Sequence, residues 1–203
     1  MSSTIFRNAA AAILAALLAA PSAWAQQAKP VRVTGTVVSV DGAVLTVKAK
    51  DGATLKIKLK DNAGVFGVTK ATLADVKPGS FIGVGAMPQP DGSQRAIRVT
   101  IFAETQRGTG EGHRPWDRPG STMTNATVGE TVKSVDGQVL MVKYKGGEKK
   151  IVVPPEAAIL AYVISDKSEL KPGATIRIQR AMPRADGTFE ADRVNVGRGG
   201  VTP

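Results

Sequence analysis

The chain has 203 residues, with 27 Lys and Arg against 17 Asp and Glu, one His, no Cys and a formal net charge of +10. The absence of Cys excludes disulfides, thiolate metal sites and a cysteine nucleophile. The basic balance favours anionic surfaces or ligands, while an aromatic content of only 4% disfavours a base-stacking platform for nucleic acid.

Residues 1–25 have the pattern of a secretory signal peptide. Arg7 precedes an apolar run at 9–20, which is followed by small residues. A membrane-spanning helix needs about twenty apolar residues, and no other apolar stretch of the chain is even as long as this run, so a multi-span membrane protein is excluded. We expect cleavage before Gln26 and a periplasmic location, with residues 26–30 as a short tail.

The chain contains two copies of one unit. "VTGTVVSVDGAVLTVKAKDG" from Val33 aligns with "VGETVKSVDGQVLMVKYKGG" from Val128, and "AMPQPDGSQRAIRV" at 86–99 aligns with "AMPRADGTFEADRV" at 181–194, both 95 positions apart. Such internal similarity predicts duplicated structural units. The predicted segments are copy one at 31–102, a linker at 103–124, copy two at 125–200 and a tail at 201–203.

Each copy reads as a series of β-strands. Apolar residues alternate with Thr and Lys at Leu45, Val47 and Ile57, the period of a half-buried strand. Turns are predicted at Asp41-Gly42, Asp136-Gly137, Asp91-Gly92, Asp186-Gly187, Lys77-Pro78-Gly79 and Lys171-Pro172-Gly173. Irregular or briefly helical segments at 61–76 and 154–170 separate the third strand of each copy from the fourth.

Five short strands with this interruption are typical of an OB-type Greek-key barrel. Closure removes exposed strand edges, which favours a barrel for a unit of this small size. We therefore predict an all-β chain of two tandem five-stranded OB-like Greek-key barrels joined by a Gly/Pro-rich linker. An SH3-like barrel or a flat meander is the alternative.

Two hairpins place lysines on their outer faces. The lysines predicted there are Lys48, Lys56, Lys58, Lys143 and Lys150. The predicted register sets Lys48 opposite Lys56 and Lys143 opposite Lys150, although like charges across a hairpin are mildly unfavourable. Such lysines are typical of a solvated edge protected from aggregation, and they also predict an anion-binding face.

The linker at 103–124 is rich in Gly and Pro and holds His113 and Trp116. Its "GTGEG" run resembles a phosphate loop, but such a loop needs a following helix, and Pro115 and Pro119 follow instead. A lone His and Trp between two domains commonly hold the domains together.

A metal site in the linker is the sharper alternative. Glu111, His113 and Asp117 offer ligands for a divalent metal, and Met123 adds a thioether. Matched methionines elsewhere in the two copies extend the alternative to Cu(I), although methionines at strand ends commonly fill packing gaps. Outside this alternative no cofactor is expected, and convergent catalytic groups are not recognisable, so an enzyme is not expected.

The pattern "V…G…V…SVDG…L.V….G", followed by "LKPG" and "DG…A.RV", resembles the bacterial domain of unknown function 5666, an OB-like module. The pair of copies is similar to small exported Gram-negative proteins, some labelled metal ABC transporter permease. The resemblance implies an OB-like fold and supplies no catalytic residues. The permease label conflicts with a sequence that has no spanning helices.

The sequence therefore predicts an exported, non-enzymatic binding or interaction module. The expected partners are an anionic glycan, lipid or polyphosphate surface, or a protein. A periplasmic accessory of copper or other divalent-metal handling is the alternative function.

Overall fold

The computed structural model describes residues 29–134 and 137–203. The predicted signal peptide lies outside these residues, as does Asp136 of the second predicted hairpin turn. Within the described residues the fold is all-β, as predicted: strands are joined by loops and by three short 3-10 turns, at Leu73–Asp75, Glu104–Gln106 and Lys167–Glu169. None of the helical segments in this part of the chain is long and apolar enough to cross a membrane.

The strands of the described residues belong to one hydrogen-bonded sheet. In chain order they are β1 (Val31–Asp41), β2 (Val44–Ala49), β3 (Thr54–Lys70), β4 (Phe81–Pro88), β5 (Gln94–Ile101), β6 (Gly112–Pro115), β7 (Thr122–Ser134), β8 (Gly137–Tyr144), β9 (Gly147–Val153), β10 (Ala158–Ser165), β11 (Thr175–Pro183) and β12 (Phe189–Gly197). Inward and outward residues alternate, as in β1, where Val33, Gly35 and Val37 are buried. The period-two pattern of the sequence is thereby confirmed.

Five strands close into a barrel. β1 pairs antiparallel with β2 and β2 with β3, β3 pairs in parallel with β12, and β11 pairs antiparallel with both β12 and β1. The spatial order β11-β1-β2-β3 is that of a Greek key. All five strands contribute aliphatic side chains that are at most 1% exposed: Val37, Leu45, Ile57, Ile176 and Val194.

Five further strands form a second ring of pairings. β4 pairs antiparallel with β5 and β7, β7 pairs with β8, and β8 pairs with β9. A short parallel contact joins β5 to β9. The interior of this ring is a separate aliphatic cluster whose fully buried members include Ile82, Val84, Leu140, Val142 and Ile151.

The prediction of one barrel per copy is not confirmed. The closed barrel takes β1–β3 from copy one and β11–β12 from copy two, whereas the second ring takes β4–β5 from copy one and β7–β9 from copy two. The two copies have exchanged their final hairpins. Because Ile82 and Ile176 occupy matched positions and each is fully buried in the other copy's core, the hairpins are interchangeable in shape and apolarity.

The segments predicted as irregular or briefly helical, 61–76 and 154–170, each contain a 3-10 turn and also a strand that the sequence did not predict. The second half of β3 pairs antiparallel with residues 160–165 of β10, and Val68 lies opposite Tyr162. These two residues occupy matched positions of the two copies. The ladder therefore lies on an approximate two-fold axis and carries each copy from one ring to the other. Glycines within the first segment interrupt its apolar alternation and hide the strand in the sequence.

The two copies differ in register at their first hairpin. Ser39 lies opposite Thr46, whereas the matched Ser134 lies opposite Gly137 instead of Met141, a slip of about four residues along the strand. At Val132 the slip is three residues, because Val132 lies opposite Val139, whereas the matched Val37 lies opposite Val47, the counterpart of Val142. An odd slip turns a side chain to the other face of the sheet. Val132 is accordingly 54% exposed, while Val37 is 1% exposed.

The Lys-Pro-Gly turns form as predicted. Gly79 has φ 84° and Gly173 has φ 88°, the left-handed conformation that the third residue of a type II turn requires. The closing hydrogen bonds run from Ser80 N to Lys77 O and from Ala174 N to Lys171 O, both at 3.0 Å. Each turn starts the hairpin that its copy donates to the other ring.

The exchange predicts a specific cross-link. Thr36 lies opposite Thr175 across β1 and β11, and opposed Cα atoms in an antiparallel pair are about 4.5–5.5 Å apart, which suits a disulfide. Because the native chain has no Cys, the doubly substituted Thr36→Cys/Thr175→Cys protein should form one intramolecular disulfide on mild oxidation. Free-thiol assay and intact mass would measure it.

The single variant Thr36→Cys is the control for cross-links between molecules. If the double variant stayed a monomer with two free thiols, β1 and β11 would belong to separate barrels and the exchange would be refuted.

Candidate functional site

The hairpin of β2 and β3 has a different register from the one predicted. Lys48 lies opposite Thr54, and Lys56 lies opposite Thr46, so the predicted Lys48–Lys56 pair is wrong. The loop comprises residues 50–52, because Ala49 N bonds to Ala53 O at 2.8 Å and Gly52, with φ 89°, takes the left-handed last position. Three-residue hairpin loops commonly place a left-handed Gly there.

The new register keeps three lysines on one outer surface without placing like charges face to face. Lys48, Lys56 and Lys58 are exposed and alternate with buried Val47, Ile57 and Leu59. Within the described residues none of the three takes part in an ion pair. We refer to Lys48, Lys56 and Lys58 as the hairpin lysines.

The hairpin of β8 and β9 is closer to electrical balance. Its two-residue loop is Lys145-Gly146, so Lys143 lies opposite Glu148 and not opposite Lys150 as predicted. Lys150 lies 3.9 Å from Asp91 of the other copy. Opposite charges across a hairpin are favourable, and this surface is therefore a weaker anion attractant than the hairpin lysines.

The linker residues proposed as metal ligands are engaged elsewhere. Glu111 Oε1 accepts a hydrogen bond from Lys145 N at 2.8 Å, and His113 Nδ1 lies 2.8 Å from Thr124 Oγ1 with its ring stacked on Tyr144. Asp117 pairs with arginines. Across residues 29–134 and 137–203, no group of three or more His, Asp or Glu side chains is placed to hold a metal ion.

Met123 lies on β7, opposite Gly85 on one side and Arg114 of β6 on the other. The segment from 103 to 124 is thus more than a linker: it contains β6 and the start of β7. Asn125 Nδ2 donates to Thr109 O at 2.9 Å, which ties the preceding loop to the sheet.

The linker crosses the outer face of β4, where two glycines make room. A Cβ on Gly85 would lie 2.2 Å from the Trp116 ring, and one on Gly83 would lie 2.9 Å from Phe102 and from the Asn125 side chain. Trp116 therefore packs directly on the backbone of the second ring. The inward neighbours on β4, including Ile82 and Val84, fill the core.

The residue after Trp116 contacts the closed barrel. Asp117 Oδ2 accepts a hydrogen bond from Arg32 Nη1 of β1 and lies 3.5 Å from Arg177 Nη2 of β11. The hydrogen bond from Arg32, with smaller contributions from the charges of Arg32 and Arg177, lowers the pKa of Asp117. Trp116 and Asp117 thus join the two rings through a neighbouring apolar and ionic contact.

Three outward arginines lie on β5, β11 and β12. Arg98 is opposite Gly85, the glycine beneath Trp116. Arg177 is opposite Asn195, and Arg193 precedes Asn195 by two residues. Each of these arginines is next to a buried core residue of its own strand, as Arg177 is between Ile176 and Ile178. Because neighbouring residues of a strand point to opposite faces, the arginines project from the outer face of the sheet. Burial raises the pKa of Tyr162, and the positive charges of these three arginines act in the opposite direction. With Arg32, they form what we call the arginine cluster: Arg32, Arg98, Arg177 and Arg193.

The arginine cluster is an unfavourable place for a cation. Burial, followed by the charge of Arg32, lowers the pKa of Arg177 even though Asp117 opposes the shift. Arg177 Nε is buried without a hydrogen-bond partner in the described residues, as is the Oδ1 of Asn195, which lies opposite Arg177. Arg193 lies over the Phe66 ring, 5.5 Å from its centroid.

The sequence held two signals for this cluster. Arg98 and Arg193 are the matched arginines of "AIRV" and "ADRV". Outward positions of β4 read Gly83 and Gly85, whereas the matched positions of β11 read Arg177 and Gln179. These differences indicate that the linker covers the β4–β5 hairpin, while the β11–β12 hairpin keeps a charged outer face. The sequence does not show that the linker reaches this charged face through Asp117.

The contact of Trp116 with Gly85 gives a prediction. In a chain beginning at residue 29, Trp116 is the one tryptophan, so its emission reports on this contact. Gly85→Ala should displace the ring, shift the emission to longer wavelength and lower the free energy of unfolding by about 1–3 kcal/mol through overpacking. Gly129→Ala, where a Cβ would lie 3.4 Å from its nearest neighbour, is the control and should leave the emission unchanged.

His113 gives a second prediction, concerning pH. Burial, with a smaller effect from Lys149, lowers the pKa of His113 below its ordinary 6.5. As the pH falls through 6.5, the unfolded chain takes up the proton first, so the free energy of unfolding should decline. Urea unfolding between about pH 7.5 and pH 5.5 should show a larger loss for the wild type than for His113→Gln; equal losses would contradict the assignment.

Comparison with known proteins adds no assignment to this geometry. No protein-family model, no curated protein and no solved structure matches the chain. The resemblance to the domain of unknown function 5666 stays a prediction.

Proposed function

We propose that this chain is an exported, non-enzymatic binding module that contacts an anionic envelope surface through the hairpin lysines. The observation that carries the proposal is the presence of three exposed lysines on one face of the closed barrel, without ion-pair partners among the described residues. In this proposal each barrel is a modified OB-like unit with an exchanged final hairpin, and the predicted signal peptide places the protein in the periplasm.

Geometry supports surface contact in preference to a deep pocket. Lys56 and Lys58 lie on β3 and Lys48 on the adjacent strand, so the three ammonium groups project from one side of a hairpin backed by a filled core. Basic residues close to an anionic membrane each contribute about 1 kcal/mol of attraction. Three of them give weak, salt-sensitive adhesion of the kind that a peripheral envelope protein needs.

The charge balance of the whole chain supports the same function. A formal net charge of +10 raises the local concentration of the protein near anionic lipid or glycan. Each hairpin has a lysine opposite a glutamate, Lys58 with Glu190 and Lys143 with Glu148. The second hairpin contributes less because its Lys150 is also paired with Asp91. The surface contact is therefore directional, with the closed barrel towards the anionic layer.

Binding to vesicles tests the proposal. The triple variant Lys48→Gln/Lys56→Gln/Lys58→Gln should bind vesicles containing anionic lipid about 100-fold more weakly than the wild type, from three losses of about 1 kcal/mol each. Wild-type binding should weaken as salt is raised through the physiological range. Co-sedimentation with vesicles of defined composition would measure both effects.

A control variant separates position from total charge. Lys70→Gln/Lys77→Gln/Lys171→Gln removes the same number of exposed lysines from other surfaces and should bind almost as the wild type does. Equal weakening by both variants would mean that net charge alone drives adhesion, and salt-insensitive wild-type binding would refute the electrostatic contact.

A further inference from the structure

The arginine cluster carries more positive charge than the described residues around it neutralise. Asp117 is the carboxylate that pairs with it, through Arg32 and Arg177. Arg98 and Arg193 take part in no ion pair within residues 29–134 and 137–203. Four guanidinium groups and one carboxylate leave a strong positive excess at a partly buried place, where charges are screened less than at the surface.

The cluster also has hydrogen-bonding capacity to spare. Arg177 Nη1 makes a long hydrogen bond of 3.5 Å to Pro203 O. Arg177 Nε is buried and unpartnered in the described part of the chain, and the Arg177 side chain is only 17% exposed. Asn195 is 2% exposed and has an unpartnered side-chain oxygen beside it. Since buried polar groups normally find partners, the Arg177 Nε–H is a donor available to an anionic acceptor. The Asn195 oxygen needs a donor instead, such as ordered water.

The position of Asp117 shows where such a ligand would sit. Its Oδ2 alone is shared by Arg32 and Arg177, so two guanidinium groups converge on one anionic oxygen. Its side chain is 38% exposed, and an open cleft of about 740 Å³, lined by residues 113–122, lies beside it. The carboxylate is thus reachable from solvent and can be displaced without opening either core.

We propose that the arginine cluster binds a phosphate group, which takes the place of the Asp117 carboxylate between Arg32 and Arg177. A phosphate monoester carries a charge of about −1.5 to −2 and several acceptor oxygens, so it satisfies more of the cluster than one carboxylate does. Guanidinium forks pair with phosphate in a bidentate geometry. Asp117, carried on the linker between the two rings, is then an internal competitor for the site.

This site differs from the hairpin lysines in position and in chemistry. The hairpin lysines are exposed and separate, which suits an extended anionic surface, whereas the arginine cluster is partly buried and convergent, which suits one oxyanion group. The phosphate group could belong to a soluble phosphate or to the monoester headgroup of a lipid, and the experiment has an arm for each source.

Calorimetric titration of the whole protein with inorganic phosphate and with pyrophosphate, at constant ionic strength, tests the soluble source. Asp117→Asn should bind at least about tenfold more tightly than the wild type, because removing a charged competitor is comparable to gaining a charged hydrogen bond. Arg177→Gln should bind at least about tenfold more weakly. Arg180→Gln, an exposed arginine on the same strand, is the matched control and should change affinity less than twofold.

Arg98→Gln provides a second loss-of-binding variant in case Arg177→Gln fails to fold, and thermal unfolding reports on folding for every variant. Binding that is detectable only in Asp117→Asn would also support the competition. No binding by any variant to soluble phosphate, pyrophosphate or phosphatidic acid vesicles, or equal binding by Asp117→Asn, Arg98→Gln and Arg180→Gln, would overturn the proposal.

Vesicles of phosphatidylcholine with or without phosphatidic acid test the lipid source. Tighter binding of Asp117→Asn to phosphatidic acid vesicles, without an effect of free phosphate, would assign the phosphate group to a lipid headgroup. The triple variant of the hairpin lysines should keep its affinity for soluble phosphate. Failure of the surface proposal and failure of the phosphate site are therefore distinguishable.

Discussion

Both hydrophobic cores depend on one constraint: neither copy closes a ring with its own final hairpin. Ile176 and Val194 from copy two complete the core around Leu45 and Ile57, while Ile82 of copy one completes the core of the second ring. The antiparallel ladder of β3 and β10 makes this arrangement continuous, since it carries each copy across to the other ring. The two copies are held together because each core contains buried side chains from both of them, a contact that a flexible linker alone could not provide.

Most strands and turns could be predicted from the sequence, but which strands pair with which could not. Alternation along β1 to β3 and the Lys-Pro-Gly turns depend on local chemistry, which the sequence states directly. Hairpin exchange depends on which of two similar final hairpins completes each ring. Matched residues such as Ile82 and Ile176 would fill either core, so the sequence does not distinguish the two arrangements. The predicted lysine register was wrong because the hairpin loop comprises residues 50–52, one residue earlier than a Lys48–Lys56 pair requires.

The candidate sites show the same division. The lysines of the hairpins were recognisable because outward positions in an alternating strand are visible in the sequence. The arginine cluster combines β1, β5, β11, β12 and the linker, so its members come together only through the exchange of hairpins. Three of the residues predicted as metal ligands make contacts that anchor the linker: Glu111 accepts a hydrogen bond from the Lys145 backbone, His113 stacks on Tyr144, and Asp117 bridges two arginines.

The glycines on the outer face of β4 have a consequence for the history of the chain and for its redesign. Gly83 and Gly85 accept a crossing segment, while the matched Arg177 and Gln179 do not leave that space. A symmetrised protein built from two copies of the second unit would have no glycine surface for Trp116 to pack on. One built from two copies of the first would keep Arg32 and lose Arg177 as a partner of Asp117. The two copies have therefore diverged into different roles: copy one supplies the glycine surface beneath the linker, and copy two supplies Arg177, which pairs with it. Neither copy can replace the other.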